Sequence, residues 1–136
     1  MSFIQLQGLA DVKEKEHAPK GSNYNLTISD VVRYTKEETD NEVFKLTVDI
    51  EGGTFRNVKH YLSLPGPQDD PSKTETKLLM IKRFLNMCGV PFSNDGFDEE
   101  AIYGATWVGG LDVEETIDER GKPTGRFRNI LVVPFV

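Results

Sequence analysis

The fold turns on Val43 to Leu64, VFKLTVDIEGGTFRNVKHYLSL, two strand-like runs separated by a glycine pair. On one parity Phe44, Leu46, Val48, Ile50, Val58, Leu62 and Leu64 make an apolar face, with Arg56 and His60 as its polar members. The other parity carries Lys45, Thr47, Phe55, Asn57, Lys59 and Tyr61. Successive side chains of a strand point to opposite faces, so the two sets belong to opposite sides of a sheet. A solvated face that mixes two aromatic rings with two lysines suits a surface that stacks bases and holds phosphates. A three-residue loop, Glu51-Gly52-Gly53 with Gly53 left-handed, keeps the faces separate and pairs Leu46 with Val58 and Lys45 with Lys59. Two lysines side by side repel unless an anion lies between them.

Outward from this hairpin, the chain reads as alternating strand and turn signals. Residues 1–22 form an extended arm broken by Pro19 and Gly21, with Phe3 and Ile4 as candidate ordered points. Tyr24, Leu26, Ile28, Val32 and Tyr34 keep a period of two, which predicts a first strand over 24–34. Thr35 to Glu42 is a polar connection, and Pro65-Gly66-Pro67 ends the third strand. Ser72 to Glu75 has capping-box spacing and predicts the start of a helix. Leu78, Ile81, Leu85 and Cys88 form one face of that helix with Phe84 beside them, and Gly89 and Pro91 stop it. Residues 92–100 read as an acidic loop. Tyr103 to Ile117 reads as a fourth strand bent or bulged at Gly109-Gly110, and Asp118 to Gly125 as a hairpin tip. Arg126 to Phe135 is the fifth strand, with Phe127, Leu131, Val133 and Phe135 on one side.

Three meandering strands, a helix and a final hairpin predict a mainly β protein. The expected architecture is a five-stranded OB-fold-like barrel with one α-helix between the third and fourth strands, formed by residues 23–136 behind the arm. In that architecture strands 2 and 3 and the loops joining strands 1–2 and 4–5 form the ligand face. The aromatic and lysine face falls on it.

Size and charge narrow the function. A chain of 136 residues is enough for one core. The start, Met1 to Ala10, lacks the basic and apolar runs of a secretory signal, and no stretch approaches the roughly 20 apolar residues of a membrane span. The single cysteine, Cys88, cannot form an intrachain disulfide, which fits an intracellular, reducing compartment. Net charge is −6, yet the charges are segregated. Nine acids and no Lys or Arg lie between Asp95 and Glu119, whereas Arg120, Lys122, Arg126 and Arg128 follow with no acid. Such segregation can give an acidic protein a local basic groove.

Within this frame Phe55 and Tyr61 are the stacking candidates, Lys45 and Lys59 the phosphate contacts beside them, and Asn57 shares their face. Arg120, Lys122, Arg126 and Arg128 are candidates to clamp a backbone, or else to neutralise Glu114, Glu115 and Asp118 opposite them. Trp107 reads as core rather than a platform, His60 as a hydrogen-bonded core histidine, and His17 has no assigned role. No catalytic residue is expected, since nucleophilic catalysis needs a base within reach and only two histidines exist. Asp95, Asp98, Glu99 and Glu100 lack EF-hand spacing, so no metal is expected, and no cofactor.

Four pieces, taken in order, resemble a known group: Tyr24-Asn25-Leu26; Gly53 to Val58 running on to Tyr61-Leu62-Ser63-Leu64; Phe84 to Val90; and Arg128-Asn129-Ile130 leading to Pro134-Phe135. Together they make the chain similar to phage-encoded single-stranded DNA-binding proteins of OB type over about residues 24 to 135. The resemblance implies sequence-nonspecific binding and protection of single strands in phage DNA replication or recombination, without catalysis, in the cytoplasm of an infected bacterial host. Single-stranded DNA is the implied partner, with replication or recombination proteins as further candidates. Many such proteins end in an acidic tail that recruits partners, whereas this sequence ends in Val132-Val133-Pro134-Phe135-Val136, which argues against tail-mediated recruitment. That apolar end allows packing into the barrel or a homodimer. The competing expectation is an OB-like protein-interaction or virion-assembly module that uses the Phe55–Tyr61 face against another subunit.

Overall fold

The computed structural model describes residues 2–135 and is mainly β, with a five-stranded antiparallel sheet and one α-helix. In chain order the elements are β1 (Gly21–Thr35), β2 (Glu42–Ile50), β3 (Val58–Ser63), α1 (Pro71–Cys88), the short β4 (Phe92–Ser93) and β5 (Gly96–Phe97), β6 (Thr106–Ile117) and β7 (Pro123–Val132). The large sheet runs β3-β2-β1-β6-β7, and β4 and β5 form a separate hairpin. The two end strands, β3 and β7, approach each other without forming a ladder. Among the described residues no helix is long and apolar enough to cross a membrane.

The central hairpin keeps its two faces but not its register. Val48 pairs with Val58, Leu46 with His60, and Lys45 with Tyr61, two residues displaced from the expected pairing. The loop is therefore the seven residues 51–57 and not three, although Gly52 and Gly53 both take positive φ within it. A slip of two preserves which side chains are buried, so burial alone does not discriminate against it. The slip also separates the two lysines. Lys59 now lies opposite Thr47 and donates to its Oγ1 at 2.7 Å. Phe55 falls in the loop rather than on the outer face, half-buried against the core.

A bulge in β1 between Ile28 and Asp30 alters the first strand. Before it Leu26 and Ile28 point into the core. After it Val31 takes the inward place, and Val32 and Tyr34 lie opposite Lys45 and Val43 on the other face, exposed. The period of two in the sequence therefore spans a change of side. Arg33, brought opposite Phe44 by the same step, stays exposed, with its guanidinium over the Phe44 ring at 5.7 Å and bonded to Glu42 at 2.6 Å.

The core lies between the curled sheet and α1. Leu26, Ile28, Phe44, Leu46, Val48, Val58 and Leu62 meet Ile81, Phe84, Leu85 and Cys88 of the helix, with Ile102, Leu111 and Leu131 closing it. The helix begins one turn's edge earlier than its capping-box pattern implies. Asp70 is the N-cap, accepting from the Lys73 N–H at 2.7 Å, and Pro71 occupies the first turn. Proline suits that place because its missing N–H would be unpaired there anyway. Gly89 ends the helix at φ 73, as its position implies. The acidic loop contains the β4–β5 hairpin, whose Phe97 reaches Phe44 at 6.2 Å. The fourth long strand, β6, starts at Thr106 and continues through Gly109-Gly110, where its pairing with β1 shifts register between Tyr24 opposite Gly109 and Gly21 opposite Leu111. Those glycines make room, since a Cβ on Gly109 would lie 2.7 Å from Trp107 Nε1. The indole is thus laid along its own strand and meets Phe84 edge-on at 6.4 Å. The hairpin tip shortens to residues 118–122, because β7 already begins at Pro123.

Burial pushes the Cys88 thiol up to about 12, so it packs as a small protonated apolar group. His60 stacks on Phe84 at 5.0 Å, and burial pushes its imidazole below the ordinary value. The unfolded chain protonates this histidine near pH 6.5 while the folded chain resists, so folding stability falls as pH drops below about 6.5. We expect His60→Gln to flatten that part of the pH–stability curve. Urea unfolding of both proteins between about pH 5 and pH 7.5 measures it, and parallel curves would exclude His60 as the cause.

Candidate nucleic-acid interface

The seam between β3 and β7 is where the sheet fails to close on itself, and residues 15–19 of the arm fill one end of it. Asn129 of β7 lies on the inward parity with Leu131, and its carboxamide grips the arm. Its Oδ1 accepts from the Ala18 N–H at 2.8 Å, and its Nδ2 donates to the Ala18 carbonyl at 2.8 Å and to the Asp112 carbonyl at 3.1 Å. Ala18 is fully buried in the core cluster. On the other bank the Arg56 N–H donates to the Glu16 carbonyl at 2.8 Å, and Arg56 Nε donates to the Lys15 carbonyl at 3.2 Å. The anchor points of the arm are therefore Lys15 to Ala18. Phe3 and Ile4, its expected ordered points, are exposed.

Beside the arm the seam opens into a groove of about 610 Å³. Arg56, Asn57, Lys59, His60 and Tyr61 line it from the β3 side, and Thr116, Arg126, Phe127, Arg128, Asn129 and Ile130 from the β6–β7 side. His17 of the arm completes the wall, its ring 5.7 Å from that of Phe127. Four cations and four exposed or half-buried rings, His17, His60, Tyr61 and Phe127, thus face one space, and among the described residues no carboxylate lines it. In a chain with 22 acids against 16 Lys and Arg, this is a strong local reversal of charge.

Five residues singled out in the sequence converge here: Asn57, Lys59, Tyr61, Arg126 and Arg128. Tyr61 is half exposed, and Lys45 lies directly across from it on the outer face. Phe55 opens instead on a smaller hollow with Lys15, Asp49 and Arg56. Arg120 and Lys122 sit at the β6–β7 tip, where the Asp118 carboxylate accepts both of their backbone N–H groups at 2.9 Å. Arg128 is partly neutralised by Glu114, with Nε donating to Oε1 at 2.6 Å. Glu115 and Asp118 are used differently, as acceptors for backbone N–H groups, Glu115 for that of Gly125.

Seven other residues line the groove, Phe127, Arg56 and His17 among them. Phe127 shares parity with Leu131 and so reads as core, yet β7 passes from core to groove between Leu131 and Phe127. The polar Asn129 between them was the available signal. Arg56 read as a polar member of the buried face, and His17 had no pattern around it. Among the described residues no three His, Cys, Asp or Glu side chains cluster to hold a metal ion. No family model and no curated protein matches the chain.

The Asn129 clamp sets the arm against the groove, so its loss should release both. Asn129→Ala leaves buried backbone groups unpaired, at about 1–3 kcal/mol for each. We expect a destabilisation on the order of 2–3 kcal/mol in urea unfolding. Trypsin should also cleave faster at Lys15 and Lys20.

Proposed function

We propose that the protein binds single-stranded nucleic acid, DNA in the first place, along the β3–β7 groove and without sequence preference. One observation carries this reading: an acidic chain gathers Arg56, Lys59, Arg126 and Arg128 around Tyr61, Phe127 and His17 with no carboxylate among the lining residues. Guanidinium and ammonium groups attract phosphates, and the rings offer faces to unpaired bases. In duplex DNA the bases are already stacked on one another, whereas a single strand can turn them toward Tyr61 and Phe127. Lys45, across from Tyr61, extends the cationic track onto the outer face.

The meander, helix and hairpin order, with the two sheet ends brought edge to edge, supports an OB-type barrel left open at this seam. On that reading β3 and the β6–β7 hairpin flank the ligand, which is the usual side for the architecture. A protein of this kind would cover and protect single strands during phage DNA replication or recombination inside the host cell, a role that needs no catalytic group, metal or cofactor.

Fluorescence anisotropy with a labelled oligothymidylate tests the proposal. Four phosphates neutralised on a single strand predict a slope of log K against log salt of about −2.8, at about −0.7 per phosphate. Lys59→Ala with Arg126→Ala should reduce that slope to about −1.4. Tyr61→Ala with Phe127→Ala should cost about 1–3 kcal/mol per base unstacked while leaving the slope unchanged. Absence of binding, a slope near zero or a preference for duplex would each overturn the reading.

A further inference from the structure

A second hollow lies beside the groove, and the two share a wall. Arg56 and Asn57 line both, so one surface passes into the other across these residues. The hollow measures about 440 Å³ and is completed by Lys15 of the arm, Asp49 and Ile50 at the end of β2, and Gly53 and Phe55 of the 51–57 loop. Phe55 both packs against the core and lines this space. Arg56 fixes the Lys15 carbonyl, and the Lys15 ammonium reaches to 4.0 Å from where a Cβ on Gly53 would stand.

The hollow differs from the groove in holding a carboxylate. Asp49 is exposed and, among the described residues, forms no ion pair with Lys15, Arg56 or any other cation. A carboxylate repels a phosphate, so this space does not suit the backbone of a strand. It accepts hydrogen bonds, and the Watson–Crick edge of an unpaired base supplies the N–H groups. Beyond Asp49 the surface turns acidic, since the next hollow is lined by Asp49 and Glu51 with no Lys or Arg. The cationic track therefore ends at Phe55.

We propose that the Phe55 hollow holds one base of the bound strand, stacked on Phe55 with its Watson–Crick edge on Asp49, and that it selects guanine. The inference rests on strand binding in the groove and adds one position of selectivity to a surface that otherwise reads no base. Guanine is singled out by its donors. Its N1–H and N2 amino group lie side by side and can meet both oxygens of one carboxylate, whereas adenine and cytosine offer one amino group and thymine one ring N–H. Arg56 and Lys15 are left for the phosphates that flank the base.

Fluorescence anisotropy of the full chain tests this with a labelled oligothymidylate and with copies carrying one guanine or one adenine at the centre, where either strand polarity can bring it to the hollow. We expect guanine to tighten binding on the order of tenfold over thymine, and adenine by less. Asp49→Asn should erase the advantage of guanine over adenine without weakening oligothymidylate binding. Asp49 is exposed, so circular dichroism should show this variant folded. Phe55→Leu keeps an apolar filling and should lower the affinity for both purines toward that for thymine. Oligothymidylate binding with no preference for guanine would overturn the inference and leave the groove standing. A guanine preference that survives Asp49→Asn, or purine binding untouched by Phe55→Leu, would do the same. A chain that binds no oligonucleotide would overturn both.

Discussion

Three hydrogen bonds from one side chain decide what this sheet can be. The carboxamide of Asn129 presents an acceptor and donors as a backbone peptide would, and Ala18 pairs with it as it would with a neighbouring strand. The arm thereby supplies, at one end of the seam, the pairing that β3 and β7 do not give each other. Were those strands to zip along their whole length, the space between them would vanish. The arm fills one end of the space between β3 and β7, and the groove lies beside it.

The same constraint explains where the charges go. Acids of the β6–β7 hairpin are largely spent on structure: Asp118 and Glu115 accept backbone N–H groups, and Glu114 holds Arg128. Arg56 fastens the arm through its Nε, which leaves the rest of its guanidinium at the groove. Lys59 is oriented by Thr47 from the next strand. Cations that stand close together repel one another, and three of these, Arg56, Lys59 and Arg128, are held by neutral partners or a single carboxylate. The arrangement therefore retains an attraction for an external polyanion, which is what the proposed reading requires.

How much of this was legible depends on which interactions are local. Parity along β2 and β3 was legible because Phe44, Leu46, Val48, Val58 and Leu62 are all buried on one face, although Val43 and Thr47 of the other are buried too. The register was not, since a slip of two residues buries the same set and only the longer 51–57 loop distinguishes the pairings. The helix was legible from its apolar spacing and Gly89, while its first residue was set by Asp70 and Pro71 rather than by the serine pattern. Of the candidate site, Lys59 and Tyr61 could be found from alternation, and Arg126 and Arg128 from the basic stretch that follows Glu119. Phe127, Arg56 and His17 could not, because their role depends on a contact between β7 and an arm more than a hundred residues away in sequence.

A sheet that ends in two neighbouring edges faces a hazard, because unpaired edge strands invite pairing with other chains. Here each edge is occupied or defended. The arm takes part of the seam, and lysine and arginine side chains line what remains. Charged edge residues discourage another strand from adding, whereas a polyanion, being of opposite charge, is attracted by them. The side chains that discourage strand addition at these edges are thus the same ones that the proposed reading sets against a nucleic-acid strand.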